Sequence, residues 1–118
     1  DIIMKSIVAL RAARGADLMD KVHPGWFQEI RLDDLDMASG VQCILGLVFG
    51  DFAVGARKLD LMGTDGGTRT IRYGFVSIFC YWRLRRAWCS EVERRRVDDF
   101  LMRARLENAE QEVAMTGA

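Results

Sequence analysis

Residues 36–56 read DMASGVQCILGLVFGDFAVGA and contain the longest nearly unbroken apolar run of the chain. Ser39 followed three residues later by Gln42 is a capping-box pattern, in which each side chain satisfies a backbone amide at a helix start. Because the segment that follows is apolar on nearly every side, it predicts a central helix that is buried all round. Gly46 and Gly50 lie on one face of that helix and would let another backbone approach closely. The apolar run is too short to span a membrane.

The composition is that of one folded domain. The chain has 118 residues, half of them hydrophobic, and its basic and acidic residues balance at 17 each. The charge is uneven, however. Basic against acidic residues number 7 to 10 in residues 1–68, 10 to 4 in residues 69–105 and none to 3 in residues 106–118. The basic middle segment indicates a polar partner or an internal match of charges.

Three cysteines, Cys43, Cys80 and Cys89, form an odd and sparse set. Disulfide-rich secreted domains normally contain an even and denser set. We therefore expect reduced thiols and a cytoplasmic location. Neither a signal peptide nor a transmembrane run is recognisable in these residues, so we expect no membrane partner.

The first third of the chain predicts a helix and a turn. Residues 2–22 place apolar side chains at helical spacing between basic ones, which is typical of an amphipathic helix. Residues 23–25 (HPG) end it, because proline disfavours helical geometry in the residue before it. Trp26 and Phe27 should anchor this turn on the core. Residues 28–36 predict a short turn or helical segment.

The middle of the chain predicts a loop. Residues 59–62 should end a helix near Gly63, and residues 63–68 (GTDGGT) should form a flexible loop. Residues 70–79 (TIRYGFVSIF) contain β-branched and aromatic side chains that favour a short extended piece. A phosphate-binding loop is the alternative interpretation of this glycine-rich segment, but the Walker lysine is missing.

The last third predicts a long helix from about Ser77 onward, because large apolar residues step by three or four. That stripe is formed by Tyr81, Leu84, Trp88 and Val92. It loses phase near residues 94–96, and Asp98-Asp99 could cap a new helix, so we expect a break or a bend there. Residues 104–118 are good helix formers with few large anchors and should either pack on something or fray. The whole predicts a mainly α, compact single domain of four to five helices with a long C-terminal helix.

Residues 24–55 resemble a group of small uncharacterised proteins of actinobacteria and their bacteriophages. Those chains are similar to the patterns P-G-W, I-D-L-x-x-L-D-M/L-A-S and C-x-C-V/I-L-G-Q-L-F/Y-G-D/N-Y. The matching residues are Pro24, Gly25, Trp26, Ile30, Leu32, Leu35, Asp36, Met37, Ser39, Cys43, Ile44, Leu45, Gly46, Phe49 and Gly50. Later in the chain, Tyr73-Gly74-Phe75 and Trp88 also match.

The resemblance implies a phage or prophage origin, and hence a host-cell cytoplasm, but no particular activity. It covers roughly residues 10–96, which implies a helical core domain over residues 1–96 and a C-terminal helical extension over residues 97–118. Two residues depart from the pattern. Val41 replaces the first cysteine, which weakens a metal or redox interpretation of the C-x-C pair, and Leu47 replaces a glutamine.

Chemistry has few candidate residues. His23 is the only histidine, so any mechanism that needs an imidazole must use it. Cys80 and Cys89 lie nine residues apart, outside the usual spacing of paired zinc ligands. The acidic run at residues 33–36 (DDLD) lacks the glycine and glutamate of a calcium loop and suits capping better. We assign no catalytic, cofactor or metal site and expect a non-enzymatic protein.

Two kinds of partner remain. The ten arginines of residues 69–105, with Tyr81 and Trp82 beside them, suit phosphates and bases and predict nucleic-acid binding as the alternative. The neutral total charge argues against it. Aromatic residues, methionine and arginine are also enriched at protein interfaces, and residues 100–102 (FLM) cannot all face one core. We therefore favour binding to another protein or to a second copy. The expected partner-binding residues are Trp82, Arg83, Arg86, Arg94, Arg95, Arg96, Phe100, Leu101 and Met102.

Overall fold

Two long helices, α1 (Ile2–Val22) and α5 (Tyr81–Thr116), are the main elements of the computed structural model, which describes residues 2–63, 65, 67–78 and 80–117. Between them lie three short helices and two 3₁₀ turns. The short helices are α2 (Ile44–Phe49), α3 (Phe52–Lys58) and α4 (Thr68–Arg72), and the 3₁₀ turns are Trp26–Glu29 and Leu32–Asp34. The described residues contain no β-strand, and together they form one compact mainly α domain. The predicted fold class is confirmed.

The helices α1 and α5 run in the same direction and make the most extensive contact of the fold. Near their starts, Lys5 and Arg83 line one groove, and near the end of α1, Asp20 pairs with Arg95. Gly15 allows this close approach. A Cβ atom at that position would lie 2.1 Å from the Tyr73 carbonyl oxygen and within 2.9 Å of the buried indole ring on α5.

The predicted central helix starts about one turn later than its sequence suggests. Ser39 Oγ accepts the amide of Gln42 at 3.1 Å, but it does so within a turn. The helix itself begins at Ile44, because Cys43 Sγ caps it by accepting the amide of Gly46 at 3.3 Å. The capping interaction of the serine is present, whereas the helix boundary predicted from it is wrong.

That apolar run is also two helices rather than one. Gly50 has a φ of 91°, a left-handed conformation that ends α2, and Asp51 Oδ2 then caps α3 through the amide of Ala53 at 2.9 Å. The expectation of burial all round is wrong as well. The start of α2 is buried, but its last three residues are only half-buried and Val41 before it is 59% exposed. The close approach predicted at Gly46 is confirmed, since a Cβ atom there would lie 2.4 Å from the backbone of the preceding turn. The one predicted at Gly50 is wrong, because no described atom lies within 4 Å of a Cβ atom there.

Aromatic rings form the centre of the core. The rings of Trp26 and Trp88 meet edge to face at 5.7 Å, and Phe75 stacks on Trp88 at 5.1 Å. The indole N–H of Trp88 donates to the Gly74 carbonyl oxygen at 2.6 Å, and that of Trp26 donates to Asp20 Oδ1 at 2.9 Å. The prediction that Trp26 anchors the first turn on the core is confirmed.

The middle of the chain is more helical than predicted. The segment expected to be extended begins inside α4, which covers Thr68–Arg72, so that expectation is wrong over those residues. The helix expected to end near Gly63 ends at Lys58, although Leu59 and Leu61 beyond it are buried. Of the predicted loop and extended piece, Thr64, Gly66 and Phe79 lie outside the described residues.

The last helix is not broken. α5 continues through Asp98 and Asp99 as 36 helical residues, about 54 Å at 1.5 Å per residue, along a molecule 62 Å in its longest extent. Asp99 is held in the helix by an ion pair with Arg103 at 3.1 Å, and it accepts a hydrogen bond from Gln28 at 3.1 Å. None of the described helices is both long and apolar enough to traverse a bilayer.

Candidate functional site

Arg95, one of the predicted partner residues, points into the domain. Arg95 is only 8% exposed. Its guanidinium lies 3.0 Å from Asp17 and 3.1 Å from Asp20, both on α1, and 2.9 Å from Glu91 on α5. Burial opposes the charged form, but the hydrogen bonds that Arg95 donates to Asp20 and Glu91 prevail and raise the pKa of Arg95 above its ordinary value. Arg95 therefore ties α5 to α1 rather than presenting its charge to a partner.

Two further arginines of α5 are also used within the fold. Arg96 donates hydrogen bonds to the backbone carbonyls of Phe27 and Ile30. Arg85 donates to those of Leu32 at 2.7 Å and Leu35 at 2.8 Å. These carbonyls lie within or directly after the two 3₁₀ turns, so the two arginines tie α5 to that segment. The basic segment is thus in part an internal match of charge and hydrogen bonding.

Trp82, Arg83 and Arg86 lie together at the other end of the contact between α1 and α5. Trp82 is 61% exposed, and the guanidinium carbons of Arg83 and Arg86 lie 5.2 Å and 5.9 Å from its ring centroid. These three residues border a groove of about 550 Å³. The rest of its lining is Lys5, Val8, Ala9, Ala87, Ser90 and Glu91. The basic groove, as we call it, joins an exposed indole to three cationic side chains.

The second half of α5 protrudes from the domain. From Val97 to the end of the helix, every side chain except those of Asp99 and Ala104 is exposed. Phe100 is 70% exposed, and the two residues after it are 47% and 58% exposed. The predicted partner residues Phe100, Leu101 and Met102 are therefore accessible, as is Arg94, whose guanidinium pairs with Glu91 at 2.9 Å.

The three consecutive apolar residues do not share one face. Successive residues of an α-helix are about 100° apart around its axis, so three in a row point in different directions. Phe100 and Leu101 project away from the side of α5 that packs on the domain. With two neighbours they form what we call the outer patch. The outer patch consists of Val97, Phe100, Leu101 and Ala104. Met102 lies on the domain side of the helix axis instead.

Met102 belongs to a stripe that the sequence analysis missed. On the domain side of α5, the residues that face the core follow a spacing of four and three, and the same spacing continues into the protruding half. The continuation, which we call the tail stripe, consists of Met102, Leu106, Ala109 and Val113. Its three larger side chains are 57–68% exposed. The alternation was visible in the sequence as an a/d heptad, but the charged Arg95 and Asp99 interrupt it and obscure its continuity.

The histidine and the thiols are not assembled into one site. His23 Nε2 lies 2.7 Å from Glu29 Oε2, and its ring packs edge-on against Phe49 at 5.5 Å. Cys43 is buried and bonds to backbone groups, as its capping role requires. Burial raises the pKa values of the Cys43 and Cys89 thiols. Within the part of the chain that the structure describes, no group of three or more potential metal ligands comes together.

We expect Cys43 to be the slowest of the three cysteines to react with an alkylating reagent at neutral pH. The thiolate is the reactive form, so a raised pKa and a buried sulfur both lower the rate, which should increase as the pH rises toward that pKa. Mass spectrometry of timed iodoacetamide reactions would measure this order. In denaturant the three thiols should react alike, whereas native Cys43 reacting as fast as half-buried Cys89 would contradict the buried capping role.

Comparisons of this chain with protein-family models, with curated proteins and with solved structures yield no match.

Proposed function

We propose that this protein is a non-enzymatic interaction module that binds another protein, or a second copy of itself, through the protruding half of α5. The observation that carries the proposal is the pair of apolar surfaces on a helix segment whose side chains, against the described residues, are exposed except for Asp99 and Ala104. The tail stripe and the outer patch place exposed side chains on both sides of the same segment. The phage or prophage origin implied by the sequence resemblance is part of this proposal.

A helix segment whose apolar faces are exposed to water is weakly stabilised. Most helical stability in proteins comes from packing an apolar face on another element rather than from intrinsic helix propensity. Residues 97–116 have two such faces, which lack the buried packing of the first half of α5, and Asp99 meets the domain through its hydrogen bond with Gln28. A partner that covers either face would remove apolar area from water and stabilise the helix at the same time.

Site-specific photocrosslinking in the producing cell would test the proposal. A photoreactive phenylalanine at Leu101 reports on the outer patch, and one at Leu106 reports on the tail stripe. The matched control is Ala114, which lies between the two faces. We expect a discrete covalent adduct from Leu101 or Leu106 and little from Ala114. Equal diffuse labelling at all three positions, or no adduct at any, would overturn the proposal.

The basic groove supports a second candidate, binding of single-stranded nucleic acid. An exposed indole between guanidinium groups suits stacking on a base while the cations contact phosphates. Because Trp26 and Trp88 are fully buried, quenching of tryptophan fluorescence by an oligonucleotide would report on Trp82. This candidate predicts quenching whose affinity falls steeply as salt rises. Affinity that is independent of salt, or quenching that survives replacement of Arg86 by alanine, would exclude it.

A further inference from the structure

We propose that the tail stripe binds the tail stripe of a second copy of this chain as an antiparallel helix pair centred between Leu106 and Ala109. This inference rests on the proposed function and names the partner of that same surface. It depends on three features of α5: the layers that the stripe forms with its own copy, the charges beside those layers, and the side of the helix that the domain occupies.

The apolar residues are spaced to form continuous layers. In an antiparallel pair, an a position of one helix meets a d position of the other. Leu106 of each copy then lies opposite Ala109 of the other, and Met102 lies opposite Val113. The pairing alternates large with small side chains at the centre. It covers the whole stripe and leaves none of its four residues facing water.

The flanking charges are complementary in the same register. The residues beside the stripe are Arg103 and Arg105 toward the domain and Glu110 and Glu112 toward the helix end. Antiparallel pairing brings Arg103 of one copy opposite Glu110 of the other, and Arg105 opposite Glu112. Because each contact occurs twice by symmetry, four arginine–glutamate pairs enclose the apolar layers. Such pairs set orientation and register in helix pairs.

The domain decides between antiparallel and parallel pairing. A parallel pair would also have one favourable contact, Arg105 opposite Glu110, so the charges alone do not decide the orientation of the two helices. However, α1 and the 3₁₀ turns pack on the same side of α5 that bears the stripe, as shown by Gly15 against Trp88 and by Asp20 against Arg95. In a parallel pair the two domains would meet across the axis and collide. An antiparallel pair places them at opposite ends of the joined helices.

The size of the contact sets the expected strength. The overlap from Asp99 to Thr116 is 18 residues, about 27 Å of helix. A contact of that length without domain contributions is below the standard size of stable interfaces, so we expect a dissociation constant of about 1–100 μM. Sedimentation velocity of the full chain from about 1 to 500 μM covers that range.

The first arm of the experiment locates the interface. Leu106→Asp places a charge in each of the two central layers and should weaken the dimer by about a hundredfold or more. Leu101→Asp is the matched control, the same substitution on the outer patch, and should leave the dissociation constant within about threefold. If Leu101→Asp weakens the dimer more than Leu106→Asp does, the proposal is overturned. Both residues are exposed, so circular dichroism should show that each variant stays folded.

The second arm fixes the orientation by reversing charges. Arg105→Glu opposes like charges at two contacts and should weaken the dimer by about tenfold. Adding Glu112→Arg restores both contacts in an antiparallel pair only, whereas adding Glu110→Arg restores them in a parallel pair only. Rescue by Glu112→Arg supports the proposal, and rescue by Glu110→Arg overturns it. Glu107→Arg, away from the stripe, is the control and should change nothing.

The outcomes separate this inference from the proposed function. A chain that stays monomeric at every concentration overturns pairing with a second copy. If Leu106 nevertheless gives a photocrosslink to a different protein, the interaction module stands with another partner on the tail stripe. If neither a dimer nor any crosslink is found, both proposals fail.

Discussion

Trp88→Ala should lower the free energy of unfolding by about 3–5 kcal/mol, a large part of the stability of a domain of this size. Trp88 is fully buried, stacks on Phe75 and meets Trp26 edge to face. Its removal leaves a cavity where α1, α5 and the chain after α4 meet. It also leaves the Gly74 carbonyl without the indole N–H that it accepts at 2.6 Å, which adds to the loss.

The matched control is Trp82→Ala, the same substitution two turns earlier on the same helix. Trp82 is 61% exposed, and its ring lies against the guanidinium groups of Arg83 and Arg86. Its loss should cost at most about 1 kcal/mol. Urea denaturation followed by far-ultraviolet circular dichroism would measure both variants. If the two variants lost similar amounts of unfolding free energy, the core would not be centred on Trp88.

Protein concentration must be the same for every variant in such measurements. If α5 pairs with a second copy, dimerisation adds to the apparent stability of the folded chain by mass action. Trp88 and Trp82 lie outside the protruding segment, so neither substitution removes a tail-stripe contact. A difference between them that persists after dilution therefore belongs to the domain.

The sequence predicted the elements that have strong local patterns. The extent of α1, the buried Trp26 and the long last helix follow from apolar spacing and from the proline after α1. The helix boundaries that were predicted wrongly are those where more than one residue could cap the helix. Cys43 and Asp51 each cap a short helix, and although Gly50 and Asp51 are a helix stop followed by a helix start, the apolar residues on both sides favoured one continuous helix. Asp99 resembled a helix start, yet in the fold it pairs with Arg103 and binds Gln28.

The candidate site was predicted in composition but not in arrangement. The run of arginines is a single feature in the sequence, whereas helical geometry distributes it over several sides of α5. Arg85, Arg95 and Arg96 turn inward because carbonyls and carboxylates distant in sequence lie there. For Arg95, the three-dimensional positions of Asp17 and Asp20 on α1 decide this, and no local pattern contains them. Arg83 and Arg86 line the basic groove, and Arg103 and Arg105 lie beside the tail stripe.

Arg95→Met should lower the free energy of unfolding by about 2–3 kcal/mol. The methionine retains most of the volume but leaves Asp17 and Asp20 without the cation they share, and it leaves Glu91 with Arg94 alone. Removing one member of a buried ion pair typically costs about 3–5 kcal/mol. We place this loss lower because the Asp17 and Asp20 side chains are 71% and 43% exposed and water can screen them.

Arg94→Met is the control, because Arg94 pairs with the same Glu91 but its side chain is 58% exposed, and it should cost no more than about 0.5 kcal/mol. A third variant identifies the cause. If the loss in Arg95→Met comes from uncompensated charge, adding Glu91→Gln should recover about 1 kcal/mol or more, since the Glu91 side chain is only 14% exposed. The alternative outcome is that the losses in unfolding free energy caused by Arg95→Met and by Glu91→Gln simply add. In that case Arg95 stabilises the domain by packing its guanidinium on Trp26, 5.8 Å from the ring centroid, and the carboxylates contribute little.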